Sequence, residues 1–210
     1  MSGHPAGARP APTSHAHVWE PGSDDTLLLL HGTGGSERDL LDLGRALAPG
    51  AALLSPRGNV LEGSMPRFFR RLSEGVFDLP DLERRTRELG AFVREAADVY
   101  GFDAGRLTAV GFSNGANIAA SLMLREPDLL SGAVLFRAML PFELDEAPVL
   151  QGKRVYLGAG KADPIVPHES IERLAEILRA GGADVTLEWQ PAGHGLTNAD
   201  VLAARRWLAD

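Results

Sequence analysis

The sequence predicts an α/β fold, with a mostly parallel central sheet and helices on both of its faces. Short continuous apolar runs alternate with longer stretches of helical periodicity along the 210 residues. Continuous apolar runs are typical of strands buried on both faces, and their alternation with helices is typical of a parallel sheet. The length suits one domain with a sizeable core.

The order of elements follows from these runs and from the Pro and Gly residues between them. Pro49 and Gly50 end the first predicted helix, and Pro80 precedes the longest one, whose apolar residues recur at helical spacing. The predicted strands are 26–30, 51–54, 106–110, 132–136, 154–157 and 185–189. The predicted helices are 37–47, 81–100, 116–124, 168–180 and 198–208.

Composition excludes several classes of protein. A net charge of −7 argues against a general nucleic-acid binder, and the absence of cysteine excludes disulfides and thiol chemistry. Residues 1–15 are rich in Gly, Ala and Pro, so we expect a disordered tail there and a single domain over 16–210. No apolar run suits a secretory signal or a membrane span, and the cytoplasm is the expected location.

Residues 55–79 form the one long segment without clear periodicity. Loops of this length are unusual in compact domains and are often functional. Ligands of open parallel sheets bind at the carboxyl ends of the strands, so the loops that follow the strands are the candidate sites for chemistry.

Gly111-Phe112-Ser113-Asn114-Gly115 has the Gly-x-Ser-x-Gly pattern of a nucleophile elbow. The pattern alone is weak, but a predicted strand precedes it and a predicted helix follows it, as the elbow of an α/β-hydrolase fold requires. Glycines at both flanks permit the tight turn that presents the Ser113 hydroxyl. Ser113 is therefore the candidate nucleophile, and the other interpretation is a glycine-rich turn with an idle serine.

A serine nucleophile needs a base, and in this fold the acid and then the histidine follow the serine along the chain. His194 lies between two glycines in the loop after the last predicted strand, whereas His168 begins a helix, where a surface or capping role is expected. Asp163 follows the 154–157 strand and is the candidate acid. Three other carboxylates after Ser113 are expected to be solvated: Asp145, Glu146 and Asp184.

Acyl transfer also needs donors for the developing oxyanion. One expected donor is the backbone N–H of Asn114, the residue after the nucleophile. The second is expected in the glycine-rich loop His31-Gly32-Thr33-Gly34-Gly35, where Thr33 N–H is the first choice and Gly34 the next. His31 is expected to hold this loop by hydrogen bonding.

These motifs, together with Asp163-Pro164-Ile165-Val166-Pro167 and Gly193-His194-Gly195, resemble the bacterial phospholipase/carboxylesterase family of small α/β-hydrolases. Ser-Asn-Gly-Ala-Asn at the elbow and Ser55-Pro56-Arg57-Gly58-Asn59 are similar to its small carboxylesterases associated with hydroquinone and copper stress. The resemblance implies an α/β-hydrolase fold without a large lid, esterase or thioesterase activity on short acyl chains, no cofactor or metal, and often a homodimer. It places the triad on Ser113, Asp163 and His194, and the oxyanion donors on Thr33 and Asn114.

The substrate pocket is predicted from residues near the expected strand ends. Met65-Pro66-Arg67-Phe68-Phe69-Arg70-Arg71 combines apolar side chains with arginines that could clamp an anionic substrate. The other interpretation is that the phenylalanines belong to the core and the arginines are solvated. The candidate substrate-binding residues are Arg57, Phe68, Phe69, Arg71, Arg137, Ile165, Val166 and Leu196.

The sequence thus predicts a serine carboxylesterase that acts on small-molecule esters through an acyl-enzyme. The alternative function is a non-catalytic small-molecule-binding protein that retains a hydrolase pocket. A complete set of triad and oxyanion residues favours the esterase, because a binding protein needs none of them to be present together.

Overall fold

Eleven strands and five helices make up the described part of the chain, residues 11–146 and 148–210 of a computed structural model. The strands are β1 His17–Glu20, β2 Ser23–Leu30, β3 Ala51–Pro56, β4 Val60–Glu62, β5 Met65–Arg67, β6 Arg71–Ser73, β7 Val76–Phe77, β8 Leu107–Phe112, β9 Gly132–Phe136, β10 Arg154–Gly160 and β11 Asp184–Gln190. The helices are α1 Leu41–Leu47, α2 Leu79–Tyr100, α3 Asn114–Arg125, α4 His168–Ala180 and α5 Asn198–Ala209.

Seven strands form the central sheet, in the order β1-β3-β2-β8-β9-β10-β11. All neighbouring pairs are parallel except β1 with β3, which are antiparallel at one edge. The predicted α/β-hydrolase fold with a mostly parallel sheet is confirmed. The carboxyl ends of β2, β8, β9, β10 and β11 lie along one edge of this sheet, which is where the predicted site residues follow.

Helices cover both faces of the sheet, and β2 shows how its residues divide between them. Leu28 and Leu30 belong to the core that α2, α3 and α4 cover, whereas Leu27 and Leu29 face the smaller core under α1 and α5. All four are nearly fully buried. A strand buried on both faces needs no polar alternation, so the continuous leucine run is the expected pattern.

The structure contains every predicted strand and helix, and the differences lie at their ends. The largest is at the start of α1. The first helix was predicted from residue 37 but begins at Leu41. Ser36 Oγ donates to Asp39 Oδ1 at 2.6 Å and also accepts the Arg38 N–H, and these local bonds form a turn in place of the first helical turn.

The N-terminal region differs from its prediction. The disordered tail was predicted to reach residue 15, but Ser14 and His15 already contact the folded domain. Residues 1–10 lie outside the described residues, but His15 is buried and packs on the Phe92 ring, with centroids 4.9 Å apart. Asn59 Nδ2 also donates to the Ser14 carbonyl at 2.8 Å. His17–Glu20 form the unpredicted edge strand β1, which is too short to show clear periodicity.

The segment predicted as a long loop folds into two small hairpins. Strand β4 pairs with β5, and β6 pairs with β7, both antiparallel. Each strand has two or three residues, too few for a readable alternation of apolar and polar positions. The hairpins lie between β3 and α2 in the chain, so they border the carboxyl edge of the sheet.

Among the described helices, we find none with the length and apolar character needed to cross a membrane.

Burial of His15 predicts a pH-dependent stability. Burial lowers the pKa of His15 from 6.5 to about 4, so the folded protein holds the ring neutral between these values while the unfolded chain binds a proton. Stability therefore falls as pH drops from 6.5 toward 4, and the His15 contribution at pH 5 is about 2 kcal/mol below that at pH 7. Urea unfolding at both pH values measures this loss.

The control is His15→Gln, which cannot take up a proton. This variant should lose less stability than the parent protein between pH 7 and pH 5. Equal losses in the two proteins would contradict a buried, neutral His15.

Candidate active site

Ser113 lies in a sharp turn between β8 and α3. Its φ of 53° and ψ of −114° are unusual for a residue with a side chain. The flanking glycines are required by space: a Cβ on Gly115 would lie 1.9 Å from the Leu30 carbonyl oxygen, and one on Gly111 would lie 2.6 Å from the Ala116 Cα. The turn therefore has the geometry of a nucleophile elbow, with Ser113 at the N-terminus of α3.

The histidine and aspartate predicted as Ser113's partners reach it through hydrogen bonds. His194 Nε2 lies 2.9 Å from Ser113 Oγ, and His194 Nδ1 lies 2.9 Å from Asp163 Oδ2. These contacts require Nδ1–H to donate to the carboxylate, which leaves Nε2 able to accept the serine proton. Loops after three strands, β8, β10 and β11, thus bring the three side chains together.

The Asp163 carboxylate is buried and fixed by more than the imidazole. Its Oδ1 accepts the backbone N–H groups of Ile165 at 2.8 Å and Val166 at 3.2 Å. The Asp163 side chain is 1% exposed, whereas that of His194 is 21% exposed. A carboxylate with this many donors stays in one orientation, so it can hold the histidine ring toward Ser113.

The structure distinguishes between the two candidate oxyanion donors of the glycine-rich loop. Gly34 N–H donates to the Pro66 carbonyl at 2.9 Å and is therefore engaged, which favours Thr33. Asn114 is the first residue of α3, where backbone N–H groups have no acceptor within the helix. Thr33, Ser113 and Asn114 all line one cavity.

That cavity has a volume of about 300 Å³ and a largely apolar wall. Two side chains of α3 that line the cavity bond to neighbouring backbone groups: Asn114 Oδ1 accepts the Phe68 N–H, and Asn117 Oδ1 accepts the Met139 N–H, both at 2.7 Å. The apolar lining residues are Met65, Phe77, Phe112, Met139, Ile165 and Val166, and the charged ones are Arg67, Arg71, Glu74 and Arg137.

Of the predicted pocket residues, Arg71, Arg137, Ile165 and Val166 line the cavity. Phe68 and Phe69 do not, and their predicted place in the pocket wall is wrong. Both are at most 2% exposed and belong to the main core, which is the other interpretation of that segment.

Arg57 and Leu196 are also absent from the cavity wall, contrary to prediction. Arg57 is about half exposed and its Nε lies 3.4 Å from Glu37 Oε2. Leu196 packs toward the smaller core under α1 and α5. Each follows a predicted site motif in sequence, but its side chain points to a different side of the loop.

Arg137 was predicted to bind substrate, but its guanidinium is bonded to protein groups instead. The side chain is fully buried and forms a bidentate ion pair with Asp200 of α5, with both N–O distances at 2.9 Å. Nε donates to the Gly193 carbonyl and Nη2 to the Gly195 carbonyl, at 3.0 Å each. The donors of Arg137 therefore hold the loop on both sides of the histidine, and little is left to meet a substrate.

Asp200 is tied into the same network from the other side. It accepts the Thr197 N–H and hydroxyl, and Thr197 caps the Asp200 N–H in return. Burial alone would raise the pKa of Asp200, but the hydrogen bonds from Arg137 and Thr197 outweigh burial and lower it. The N-terminus of α5 is thus locked to the histidine loop through one ion pair.

Several lining residues were missed by the sequence reasoning. Asn117 is the last residue of the Ser-Asn-Gly-Ala-Asn motif, and its spacing of one helical turn from Ser113 could have indicated it. Phe77 lies in the second hairpin, where no periodicity gave its direction, whereas Met65 belongs to the predicted pocket segment but was not among the candidate substrate-binding residues. Glu74 is exposed at the cavity rim.

The other histidines near the site have structural contacts. His31 Nε2 accepts the Gly58 N–H at 3.0 Å and Nδ1 bonds to the Gly32 carbonyl at 2.7 Å, so the ring holds the glycine-rich loop as expected. Burial lowers the pKa of His31, which keeps the ring neutral for these two bonds. His168 Nε2 bonds to the Lys161 carbonyl, and its ring packs on Trp189.

Within residues 11–146 and 148–210, no three His, Asp or Glu side chains converge as a metal site would require. A cofactor-free mechanism, a homodimer and a cytoplasmic location stay predictions.

A central parallel sheet with a serine elbow, and a histidine and an aspartate delivered by later strand ends, defines the class of α/β-hydrolases. Comparison with known proteins gives the family. The sequence model of the Dienelactone hydrolase family matches residues 70–204, and the chain belongs to this family. The predicted kinship with small bacterial α/β esterases is confirmed, and the protein is a hydrolase.

Individual relatives agree with this assignment. The chain is 54% identical to the "Putative hydrolase MhqD" of Bacillus subtilis (strain 168) over 195 residues, which cover 92% of this chain and 98% of the relative. Among solved structures, the Bacillus cereus carboxylesterase is 47% identical with a TM-score of 0.91, covering 93% of both chains. YahD, solved with malic acid, is 32% identical with a TM-score of 0.89, covering 93% of this chain and 98% of YahD.

The buried ion pair of Arg137 and Asp200 predicts a large stability effect. Arg137→Met leaves the Asp200 carboxylate buried without its counter-charge, and should lower the free energy of unfolding by about 3–5 kcal/mol. The double variant Arg137→Met/Asp200→Asn removes both charges while keeping an oxygen for the Thr197 cap, so it should regain part of this loss. Urea unfolding of the two variants measures the difference.

An Arg137→Met protein as stable as its parent would contradict a paired, fully desolvated guanidinium. A double variant less stable than the single one would show that the lone carboxylate is not the source of the loss.

Proposed function

We propose that the protein is a serine carboxylesterase that hydrolyses short-chain carboxylic esters through an acyl-enzyme intermediate. The observation that carries this proposal is the continuous hydrogen-bonded path from Asp163 through His194 to Ser113, with 2.9 Å at each step. A nucleophile, its base and the group that orients the base are the minimum set for acyl transfer to a serine.

In the acylation step, Ser113 Oγ attacks the ester carbonyl carbon while its proton passes to His194 Nε2. The carbonyl oxygen becomes an oxyanion, which accepts hydrogen bonds from the Thr33 and Asn114 N–H groups. The Asp163 carboxylate stabilises the imidazolium through the Nδ1 contact. When the tetrahedral intermediate collapses, the carbon–oxygen bond to the leaving alkoxide breaks and His194 donates its proton to that oxygen.

In the deacylation step, a water molecule replaces the departed alcohol. His194 accepts a proton from the water as its oxygen attacks the acyl carbonyl, and the same two N–H groups meet the second oxyanion. Collapse breaks the bond to Ser113 Oγ, which takes the proton back from His194. The products are one carboxylic acid and one alcohol, and the protein returns to its starting state.

The acyl group is expected in the apolar part of the cavity. Met65, Phe77, Met139, Ile165 and Val166 line it, and its volume of about 300 Å³ suits a small acyl group. The α/β-hydrolase fold here carries two small hairpins at this edge instead of an inserted lid domain. A thioester would meet the same residues, because its carbonyl reacts through the same intermediates.

The arginines at the cavity are candidates for selecting substrates by their charge. Arg71 lines the cavity, but its guanidinium is already paired with Glu62 through Nε and Nη2 at distances of 2.7–3.2 Å. YahD, a similar protein, was solved with malic acid, so half-esters of small dicarboxylic acids belong in a substrate screen beside neutral esters.

The triad roles predict a large and shared loss of activity. Ser113→Ala should lower kcat for p-nitrophenyl acetate by at least about 10³-fold, because the acyl-enzyme can no longer form. His194→Ala should cost a similar factor, and the double variant little more, since the two residues act in one step. Steady-state kinetics with the three variants measures this, and fluorophosphonate labelling of Ser113 tests the nucleophile directly.

Ser131→Ala is the matched control, because Ser131 Oγ bonds to the Leu107 carbonyl at the opposite end of β8. It should keep parental kinetics and labelling. A parent protein that binds esters but neither turns them over nor takes the label would instead support the non-catalytic binding function.

Cavity size predicts a preference for short acyl chains. Activity on p-nitrophenyl esters should be greatest for short acyl groups and fall for longer ones, since a 300 Å³ cavity cannot enclose a long chain. Activity should also rise smoothly with substrate concentration through the micellar transition. kcat/KM that increases beyond about ten acyl carbons would contradict this assignment of the cavity.

A further inference from the structure

At the end of the β4–β5 hairpin, Arg67 and Phe68 contact the two candidate oxyanion residues, and Pro66 contacts the neighbouring Gly34. The Pro66 carbonyl accepts the Gly34 N–H at 2.9 Å, next to Thr33. Arg67 Nη1 donates to Thr33 Oγ1 at 2.5 Å, and the Phe68 N–H donates to Asn114 Oδ1 at 2.7 Å. One short stretch of chain therefore holds both residues whose N–H groups are to meet the oxyanion.

Arg67 is unusual among the arginines of this region. It is 3% exposed and lines the cavity together with Ser113 and Thr33. Its Nε donates to the Phe69 carbonyl at 3.1 Å, and its nearest carboxylate, Glu62, lies 3.5 Å from Nε. A bond to Thr33 and one to a carbonyl hold the guanidinium in place without neutralising it.

The positive charge of Arg67 is not fully balanced by nearby carboxylates. Glu62 forms its short, bidentate ion pair with Arg71, at 2.7 Å, and is shared with Arg67 only at the longer distance. Glu74, the other carboxylate on the cavity, is exposed to solvent at the rim. Two arginines and one close carboxylate leave excess positive charge beside Thr33. Burial, followed by the charge of Arg71, lowers the pKa of Arg67, as expected for a guanidinium without full compensation.

A buried cation is costly unless an anion accompanies it. Ester hydrolysis develops an anion at this place in the tetrahedral intermediates and the transition states that lead to them, on the oxygen that Thr33 and Asn114 meet. A fixed positive charge beside this oxygen stabilises such a developing charge more than it stabilises the neutral ester.

We propose that Arg67 is a positioning residue of the oxyanion hole, which holds Thr33 in place and adds positive charge beside the developing oxyanion. This inference rests on the proposed esterase function and assigns a role to the arginine-rich segment that the triad does not use. The competing role, a clamp for a substrate carboxylate, would act on binding of anionic substrates alone and gives a different kinetic result.

The first experiment compares kcat and KM for a neutral substrate, p-nitrophenyl acetate. Arg67→Met should lower kcat about 10- to 100-fold and change KM less than about 3-fold, because the lost interaction acts in the transition state. Arg67→Lys keeps a charge and should recover part of kcat. Thr33→Val keeps the backbone N–H but loses the hydroxyl that Arg67 holds, so it should lower kcat by a smaller factor.

The double variant tests whether the two side chains act together. Arg67→Met/Thr33→Val should have about the kcat of Arg67→Met alone, because the Thr33 hydroxyl has no role without its donor. Arg70→Met is the matched control: Arg70 is exposed, pairs with Asp78 and does not line the cavity. It should leave kcat and KM at parental values.

Two kinetic outcomes overturn the proposal. One is an Arg67→Met enzyme with parental kcat on p-nitrophenyl acetate. The other is a defect confined to a higher KM for an anionic half-ester such as a hemisuccinate, which would assign Arg67 to a substrate carboxylate. If Arg67→Met does not fold, Arg67→Lys and Thr33→Val decide, and parental kcat in both variants overturns the proposal.

A readout that needs no catalysis separates this inference from the proposed function. In ¹H–¹⁵N NMR spectra, the Thr33 amide resonance should shift in Arg67→Met and stay at the parental position in Arg70→Met. An unshifted Thr33 amide in Arg67→Met overturns the positioning role. A parent protein that hydrolyses no ester would overturn the esterase proposal alone, since the amide shift reports the Arg67 contact directly.

Discussion

Contact between α3 and the ends of the central strands sets the geometry of the whole site. Helix α3 approaches so closely that the Leu30 carbonyl lies where a Cβ on Gly115 would be, and Ser113 takes the positive φ that this path demands. Such backbone strain persists only where surrounding structure imposes it. The strained turn raises the serine above the sheet edge, and the loops after β10 and β11 can then reach it with a carboxylate and an imidazole.

The fold and the hydrogen-bonded contact of Ser113, His194 and Asp163 were predictable because their signals are local. A strand buried on both faces has to be a continuous apolar run, as in β2, and the elbow has to carry glycines on either side of Ser113. Asp163 and His194 follow from chain order and from their places just past strand ends. The hydrogen-bonded geometry is what these signals indicated, whereas the catalytic roles of the three residues rest on the mechanism proposed above.

The pocket was not predictable to the same degree, because side-chain direction there depends on distant partners. Arg137 looked like a substrate ligand until Asp200, more than sixty positions later, proved to hold its guanidinium. Phe68 and Phe69 share an apolar signal with true pocket residues, but their rings belong to the main core. A sequence shows that an arginine is charged but not which carboxylate neutralises it. The close pairing of Arg71 with Glu62, and its absence at Arg67, could therefore not be predicted from the sequence.

The pairing of Arg137 with Asp200 also constrains how the sequence can change over time. A single substitution that removes the charge at either position leaves a lone buried charge beside the histidine loop, which selection would remove. The two positions are therefore expected to covary among homologues, as two opposite charges or as two neutral residues, with Thr197 following the cap that Asp200 completes. Evolutionary drift in this part of the molecule proceeds by paired replacements, while the exposed hairpin tips are free to diverge one residue at a time.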